Sequence, residues 1–282
     1  MEISRARELG LCYGVRRAVD MLKEASATHG PIETLGPVAH NTILVQELSS
    51  LHITPVDSPE ALSARVVAIS AHGVAPEITN ELRERGLTIV DTTCPTVARA
   101  QQIAGGLSAE GFTIVIFGDA NHTEVKGLLG WAGPRGIAAL SIEGLQLDSR
   151  KMELSKVGVI SQTTQRIAQF SSFAQGLCCT ILDGADELRV INTLCNATQR
   201  RQEAAAELAR AVDVMLVIGG RHSANTRRLA ETCTALVTTH HIETADELDR
   251  SWVEGKSRIG ITAGASTPDS SIEQVESALR AL

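Results

Sequence analysis

The sequence predicts an α/β fold of parallel sheets, and three observations point that way. Short β-branched runs recur along the chain, each is followed by a small polar turn, and each turn opens a helical pattern. The runs are continuous rather than alternating, which is how strands read when helices cover both faces of a parallel sheet. Prolines just inside helix starts and glycines just past helix ends mark the boundaries.

Taken in order, the run 65–70 leads into Ala71-His72-Gly73 and a helix opened by Pro76 and closed at Gly86. The run 88–91 leads into Thr92-Thr93-Cys94, and Pro95 opens the next helix. The run 113–117 leads into Gly118-Asp119-Ala120-Asn121-His122 and a helix through Val125 and Leu128. The run 157–160 precedes Ser161-Gln162-Thr163-Thr164, and the run 214–218 precedes Gly219-Gly220 and Ser223-Ala224-Asn225. The run 259–262 ends at Ala263-Gly264-Ala265-Ser266, with Pro268 opening the last helix. Parallel sheets place every strand's carboxyl end, and the helix start that follows, on one edge. Ligands bind there, and helix ends favour anions.

Composition narrows the function classes. The chain has 282 residues, with 26 Lys and Arg against 33 Asp and Glu, a formal charge of −7. That balance argues against a general nucleic-acid binder, which needs a basic face. Hydrophobic residues make up 43%, enough for a buried core, but only four Phe, two Trp and one Tyr are present. The core is therefore expected to be aliphatic, with few platforms for stacking a base. No apolar run approaches the ~20 residues of a membrane span. The N-terminal residues alternate charges without an apolar signal core, so the expected setting is cytoplasmic.

Six cysteines lack any Cys-x-x-Cys pair, so those doing chemistry must converge from distant positions. Cys12, Cys94 and Cys195 each precede a predicted helix, where the macrodipole and free N–H groups favour thiolate. Cys178 and Cys179 follow an apolar stretch, and Cys233 falls inside a helix at 227–236, so these three read as buried small hydrophobes. The first set divides the chain almost evenly, and each part suits a compact α/β unit. The expected domains are 13–94, 95–191, and 192–282 together with 1–12. Three thiolates suit zinc or an iron–sulfur cluster, and spacing alone does not choose between them.

The same predicted edge carries His40, His72, His122, Glu124, Thr163, Ser223, Asn225 and Ser266. Each alone reads equally well as a cap or a solvated turn residue. Together, histidines, hydroxyls, an amide and helix-end N–H groups make an anion pocket without an Arg cluster. Glu124 in an enclosed site would suit proton delivery if its pKa is raised. His29, His52, His240 and His241 lie off this edge and carry no expected role. No Gly-x-Gly-x-x-Gly follows a strand and no Walker A motif is present.

These residues fall in ordered motifs across essentially the whole chain. They are Gly10-Leu11-Cys12-Tyr13-Gly14-Val15, Val38-Ala39-His40-Asn41, Ser70-Ala71-His72-Gly73-Val74 and Asp91-Thr92-Thr93-Cys94-Pro95. They continue through His122-Thr123-Glu124-Val125, Ser161-Gln162-Thr163-Thr164, Cys195-Asn196-Ala197-Thr198, Ser223-Ala224-Asn225 and Thr262-Ala263-Gly264-Ala265-Ser266. In these motifs the chain resembles the 4-hydroxy-3-methylbut-2-enyl diphosphate reductase family of the non-mevalonate isoprenoid pathway.

The resemblance implies a trefoil of three small α/β domains around a [4Fe–4S] cluster held by Cys12, Cys94 and Cys195, with one iron open. It implies that an allylic diphosphate lies among His40, His72, Ser223, Asn225 and Ser266, with its hydroxyl near His122, Glu124 and Thr163. It further implies reductive dehydroxylation to isopentenyl and dimethylallyl diphosphate, Glu124 as proton donor, and a ferredoxin or flavodoxin as electron donor to a monomer. Two departures stand out. Thr123 replaces a common Pro, which removes a φ constraint beside the acid. Ala224 replaces a second Ser found in some members. Two other readings of the same residues are a Cys₃-zinc hydrolase or hydratase, with Glu124 activating metal-bound water, and a non-catalytic binder of small diphosphates.

Overall fold

A computed structural model describes residues 1–39, 41–145, 154–221 and 223–282. In chain order the regular elements are β1 (Glu2–Arg5), α1 (Tyr13–His29), β2 (Ile32–Leu35), α2 (Thr42–Ser49), β3 (Ile53–Val56), β4 (Val66–Ile69), α3 (Pro76–Glu84) and β5 (Thr88–Asp91). Next come α4 (Pro95–Ala109), β6 (Thr113–Phe117), α5 (Thr123–Ala132), β7 (Gly136–Ala139), β8 (Lys156–Ser161), α6 (Ile167–Ile181) and β9 (Glu187–Val190). The last are α7 (Asn196–Ala209), β10 (Val214–Ile218), α8 (Ala224–Thr234), β11 (Thr239–Ile242), β12 (Arg258–Ala263) and α9 (Asp269–Ala281).

The strands form three four-stranded parallel sheets, ordered β1-β12-β10-β11, β5-β4-β2-β3 and β9-β8-β6-β7. The expected α/β class is observed. Each sheet repeats one plan. An edge strand (β1, β5 or β9) runs into a turn bearing Cys12, Cys94 or Cys195 and feeds a helix. The next strand inward (β12, β4 or β8) and, in two sheets, the one beyond it (β10 or β6) each end in a turn carrying other predicted site residues.

The chain divides into two compact units, Met1–Ser26 with Pro37–Pro55 and Asn196–Leu282, and Ala27–Gly36 with Val56–Cys195. The first holds the sheet of β1, β12, β10 and β11. Its core sets Val214, Leu216, Ile218, Ile259 and Ile261 against Val275 and Leu279 of α9. On the opposite face Met215 and Val217 meet Ala205 and Ala209 of α7 and Leu229 of α8. Alternation along one strand thus feeds two helix layers.

The second unit repeats this logic. Val115, Val157 and Val159 pack on Phe170, Phe173 and Leu177 of α6. Ile114, Ile116 and Ile160 pack on Ala100, Ala104, Val125 and Leu128 of α4 and α5. Each such aliphatic side chain contributes roughly 1.5–3 kcal/mol by leaving water. Gln101 Nε2 and Trp131 Nε1 both donate to Val74 O, at 3.3 and 3.2 Å, and fix the loop entering α3 against α4 and α5. Just before it Gly73 has φ +67°, and a Cβ there would lie 2.3 Å from Gln101 Nε2, so the chain turns sharply after His72 only with glycine.

The cysteines outside the predicted set differ from expectation in one respect. Cys233 is buried in α8, and burial pushes its thiol up to about 11. Cys178 is half-buried and Cys179 exposed, which corrects the reading of both as core. The buried stripe of α6 runs through Phe170, Phe173, Leu177 and Ile181, and the two cysteines fall off its register. Among the described residues, no helix is long and apolar enough to cross a membrane.

Candidate active site

The three predicted cysteine ligands share one local geometry. Cys94 caps α4, and Cys12 and Cys195 stand immediately before α1 and α7. Each is half-buried. The N–H of each donates to the turn that follows the neighbouring strand: Cys12 N to Ala265 O at 3.0 Å, Cys94 N to Ala71 O at 3.0 Å, and Cys195 N to Thr163 O at 2.7 Å. Those acceptor turns also contain Ser266, His72 and Thr163. An edge strand followed by a helix therefore ties a cysteine's backbone to a turn bearing a polar residue three times over.

The second unit brings His72, His122, Glu124 and Thr163 together. His122 caps α5, its Nδ1 accepting from Glu124 N at 3.1 Å. A neutral ring accepting there carries its proton on Nε2, which makes that edge a donor. The His72 ring meets the His122 ring edge-on, with centroids 5.6 Å apart.

Glu124 is 2% exposed. Thr163 N donates to its Oε1 at 2.6 Å, and Thr163 Oγ1 donates to its Oε2 at 3.0 Å. Burial pushes the carboxyl up to about 7, against the two Thr163 hydrogen bonds, which favour the ionised form. The acid is thus poised to hold or release a proton near neutrality. The Thr163 hydroxyl serves both states, since it donates to the carboxylate and accepts from the carboxylic acid.

In the first unit Ser223 caps α8, its Oγ accepting from Thr226 N at 3.3 Å. Among the described residues Asn225 Nδ2 is buried without a hydrogen-bond partner, a donor that a ligand's oxygen would satisfy. Ser266 lies between Ala265, which holds Cys12 N, and Thr267, whose Oγ1 donates to Ile218 O at 3.1 Å. A cavity of about 580 Å³ opens beside Ser223, lined also by Asn41, Thr42, Gly219, Thr267 and Ser271. His40 lies outside the described residues. His241, given no expected role, meets Gly219 O through Nε2 at 2.8 Å and so steadies the turn before Ser223. Asn41, named in a motif without a role, caps α2, its Oδ1 accepting from Leu44 N at 2.9 Å. Its place before an apolar run is a cap signature that the sequence does display.

The donor set fits an iron–sulfur cluster. The three half-buried thiols at helix starts are set apart from Cys233 in its apolar core and from Cys178 and Cys179 on α6. Among the described residues no three His, Cys, Asp or Glu group as ligands of one metal ion.

Three parallel sheets, with a buried carboxyl group in the first turn of a helix that follows a strand, define an α/β enzyme fold. A family model described as "LytB protein" matches residues 3–280. The 4-hydroxy-3-methylbut-2-enyl diphosphate reductase of Dehalococcoides mccartyi strain CBDB1 is 47% identical over 98% of this chain and 96% of its own length. The enzyme of the same name from Aquifex aeolicus is 39% identical over 99% and 96%. A solved structure of (E)-4-hydroxy-3-methyl-but-2-enyl diphosphate reductase, described as the terminal enzyme of the non-mevalonate pathway, covers both chains fully with a TM-score of 0.83 at 39% identity. The E-1-hydroxy-2-methyl-but-2-enyl-4-diphosphate reductase from Plasmodium falciparum, at 23% identity and TM-score 0.81 over 100% of this chain and 87% of its own, shows the same fold. The chain belongs to the LytB family, whose named members are reductases.

Proposed function

We propose that the chain reduces 4-hydroxy-3-methylbut-2-enyl diphosphate to isopentenyl diphosphate and dimethylallyl diphosphate. Two electrons and two protons are consumed. The C–O bond breaks, the hydroxyl leaves as water with one proton, and the allylic carbon framework takes up the other. The observation that carries this reading is Glu124, an acid buried at 2% exposure and pushed up to about 7. Hydroxide is a poor leaving group, and an acid still protonated near neutrality meets that difficulty.

Cys12, Cys94 and Cys195 would hold a [4Fe–4S] cluster, which when bound supplies single electrons and an open, Lewis-acidic iron. Glu124 holds the proton, and Thr163 orients the carboxyl through its N–H and hydroxyl. His122 and His72 offer donors at the same edge. Ser223, Asn225 and Ser266, with His40 and His72, bind the diphosphate and orient the hydroxyl, a positioning role that need not change in the transition state. The domains proposed are 13–94, 95–191, and 192–282 with 1–12. The electron donor is a ferredoxin or flavodoxin, and the enzyme works as a cytoplasmic monomer.

The test is anaerobic reconstitution of the full chain with iron and sulfide, followed by metal analysis and turnover with a strong reductant. About four irons per chain, a broad absorbance near ~400 nm and conversion of the diphosphate are expected. Cys12→Ser, Cys94→Ser and Cys195→Ser should each abolish turnover, while Cys233→Ser lowers stability alone. Stoichiometric zinc, or equal damage from all four variants, would overturn the assignment.

A further inference from the structure

We propose that Arg201 is a positioning residue for the iron–sulfur site, its buried guanidinium tying the turn before Cys12 to the first turn of the helix that follows Cys195. The inference rests on the reading of those cysteines as cluster ligands. Arg201 belongs to α7 and is 3% exposed, an unusual place for a side chain that is always charged. Its Nη2 donates to Gly10 O at 3.0 Å and its Nη1 to Ala197 O at 3.4 Å. Gly10 stands two residues before Cys12, and Ala197 two residues after Cys195.

Arg5, Arg16 and Arg258 of the same unit pair with Glu276, Asp269 and Asp213 at the surface. Arg201 is buried, and both of its Nη atoms reach main-chain carbonyls near candidate ligands in the sequence. A helical side chain leans toward the helix N-terminus, which carries the guanidinium back to the end of α7 that follows Cys195.

The turn it reaches needs support. Gly10 has φ +73°, and a Cβ there would lie 2.9 Å from Ile272 Cδ1, so no side chain of its own anchors it. β12 and the turn after it hold this segment through its N–H groups, Gly10 N to Ala263 O at 3.3 Å and Cys12 N to Ala265 O at 3.0 Å. Arg201 holds it from the carbonyl side. Outer-shell bonds of this kind orient ligands to a metal centre. A cation fixed beside the cluster site also favours a reduced cluster over an oxidised one.

The experiment uses the anaerobically reconstituted full chain. Iron release to a ferrous chelator and the cluster's reduction potential are measured, with thermal melting of the apo chain as the fold control. Arg201→Gln should release iron faster on the order of 10–100-fold and shift the potential to more negative values. Arg201→Lys keeps the charge but cannot span two carbonyls, so its potential should stay near wild type while its iron release falls between the two. A folded Arg201→Gln chain matching wild type in both readouts overturns the inference. Should Arg201→Gln fail to fold, iron release from Arg201→Lys equal to wild type overturns it instead. Those outcomes leave the cluster reading intact. A wild-type chain that takes up no iron overturns that reading, and this inference with it.

Discussion

The turn after β6 and the turn after β10 hold the same place in their sheets, yet they do opposite things with it. In the first, His122 caps α5 and Glu124 stands two residues on. In the second, Ser223 caps α8 and Asn225 stands two residues on. The scaffold thus aims the second residue after the cap at the sheet's carboxyl edge in both. The turn after the neighbouring strand decides the outcome. After β8, Thr163 gives Glu124 two hydrogen bonds, so the carboxyl is satisfied within the protein, while its burial favours the protonated form. Among the described residues Asn225 Nδ2 is buried without a partner. On the proposed function, one corner holds a proton and the other receives an anion.

The sharpest way to break this contrast is to neutralise the acid. Glu124→Gln preserves shape and both Thr163 contacts, and turnover should fall ~10²–10⁴-fold with iron content unchanged. Steady-state kinetics with metal analysis reads both. Asn225→Ala should raise KM roughly tenfold and leave kcat within about twofold, because it removes an interaction made equally in ground and transition states. A kcat loss matching that of Glu124→Gln would erase the difference between the corners. Thr163→Val keeps the N–H but loses the hydroxyl that favours the carboxylate. The carboxyl should therefore titrate higher than in wild type, moving the alkaline limb of the kcat profile to higher pH.

The smallest expected effect is on stability. The folded-state pKa of Glu124 is raised to about 7, so the protonated form is the one folding favours. Its contribution is complete below the unfolded value near 4.5 and fades as pH rises through 7. Glu124→Gln removes that loss, and the variant should gain on wild type above pH 7 by up to about 3 kcal/mol. Thermal melts of the apo chain across pH 5–9 show whether the two curves separate in that direction.

Most strands legible in the sequence were buried. β6 and β10 are fully covered and apolar but for Thr113, so their runs read with the observed bounds. β5 sits at a sheet edge and was legible from its β-branched centre, whereas β1, β9 and β11 sit at edges with mixed residues, as in Thr239–Ile242, that carry no apolar run. β2 is interior yet has only Ile32 and Leu35 as apolar residues, with Glu33 turned to accept from Ser63 and Ala64. The threefold plan left no sequence repeat because equivalent caps differ: Asn41, His122 and Ser223 each accept a backbone N–H with different chemistry.

The helix-start placement of the cysteines and the place of Glu124 after β6 were legible because strand ends and helix starts are local signals. The contacts of His241 and Arg201 were not. Each acts on a main-chain carbonyl distant along the chain, Gly219 and Gly10, and no local pattern reports such a partner.

The most direct measurement is the pH dependence of kcat for wild type and Glu124→Gln under one reductant. Wild type should lose rate as pH rises through about 7, and the residual rate of the variant should be flat there. A wild-type profile without that limb, or a variant that keeps it, would contradict the storage of the reaction's proton on Glu124.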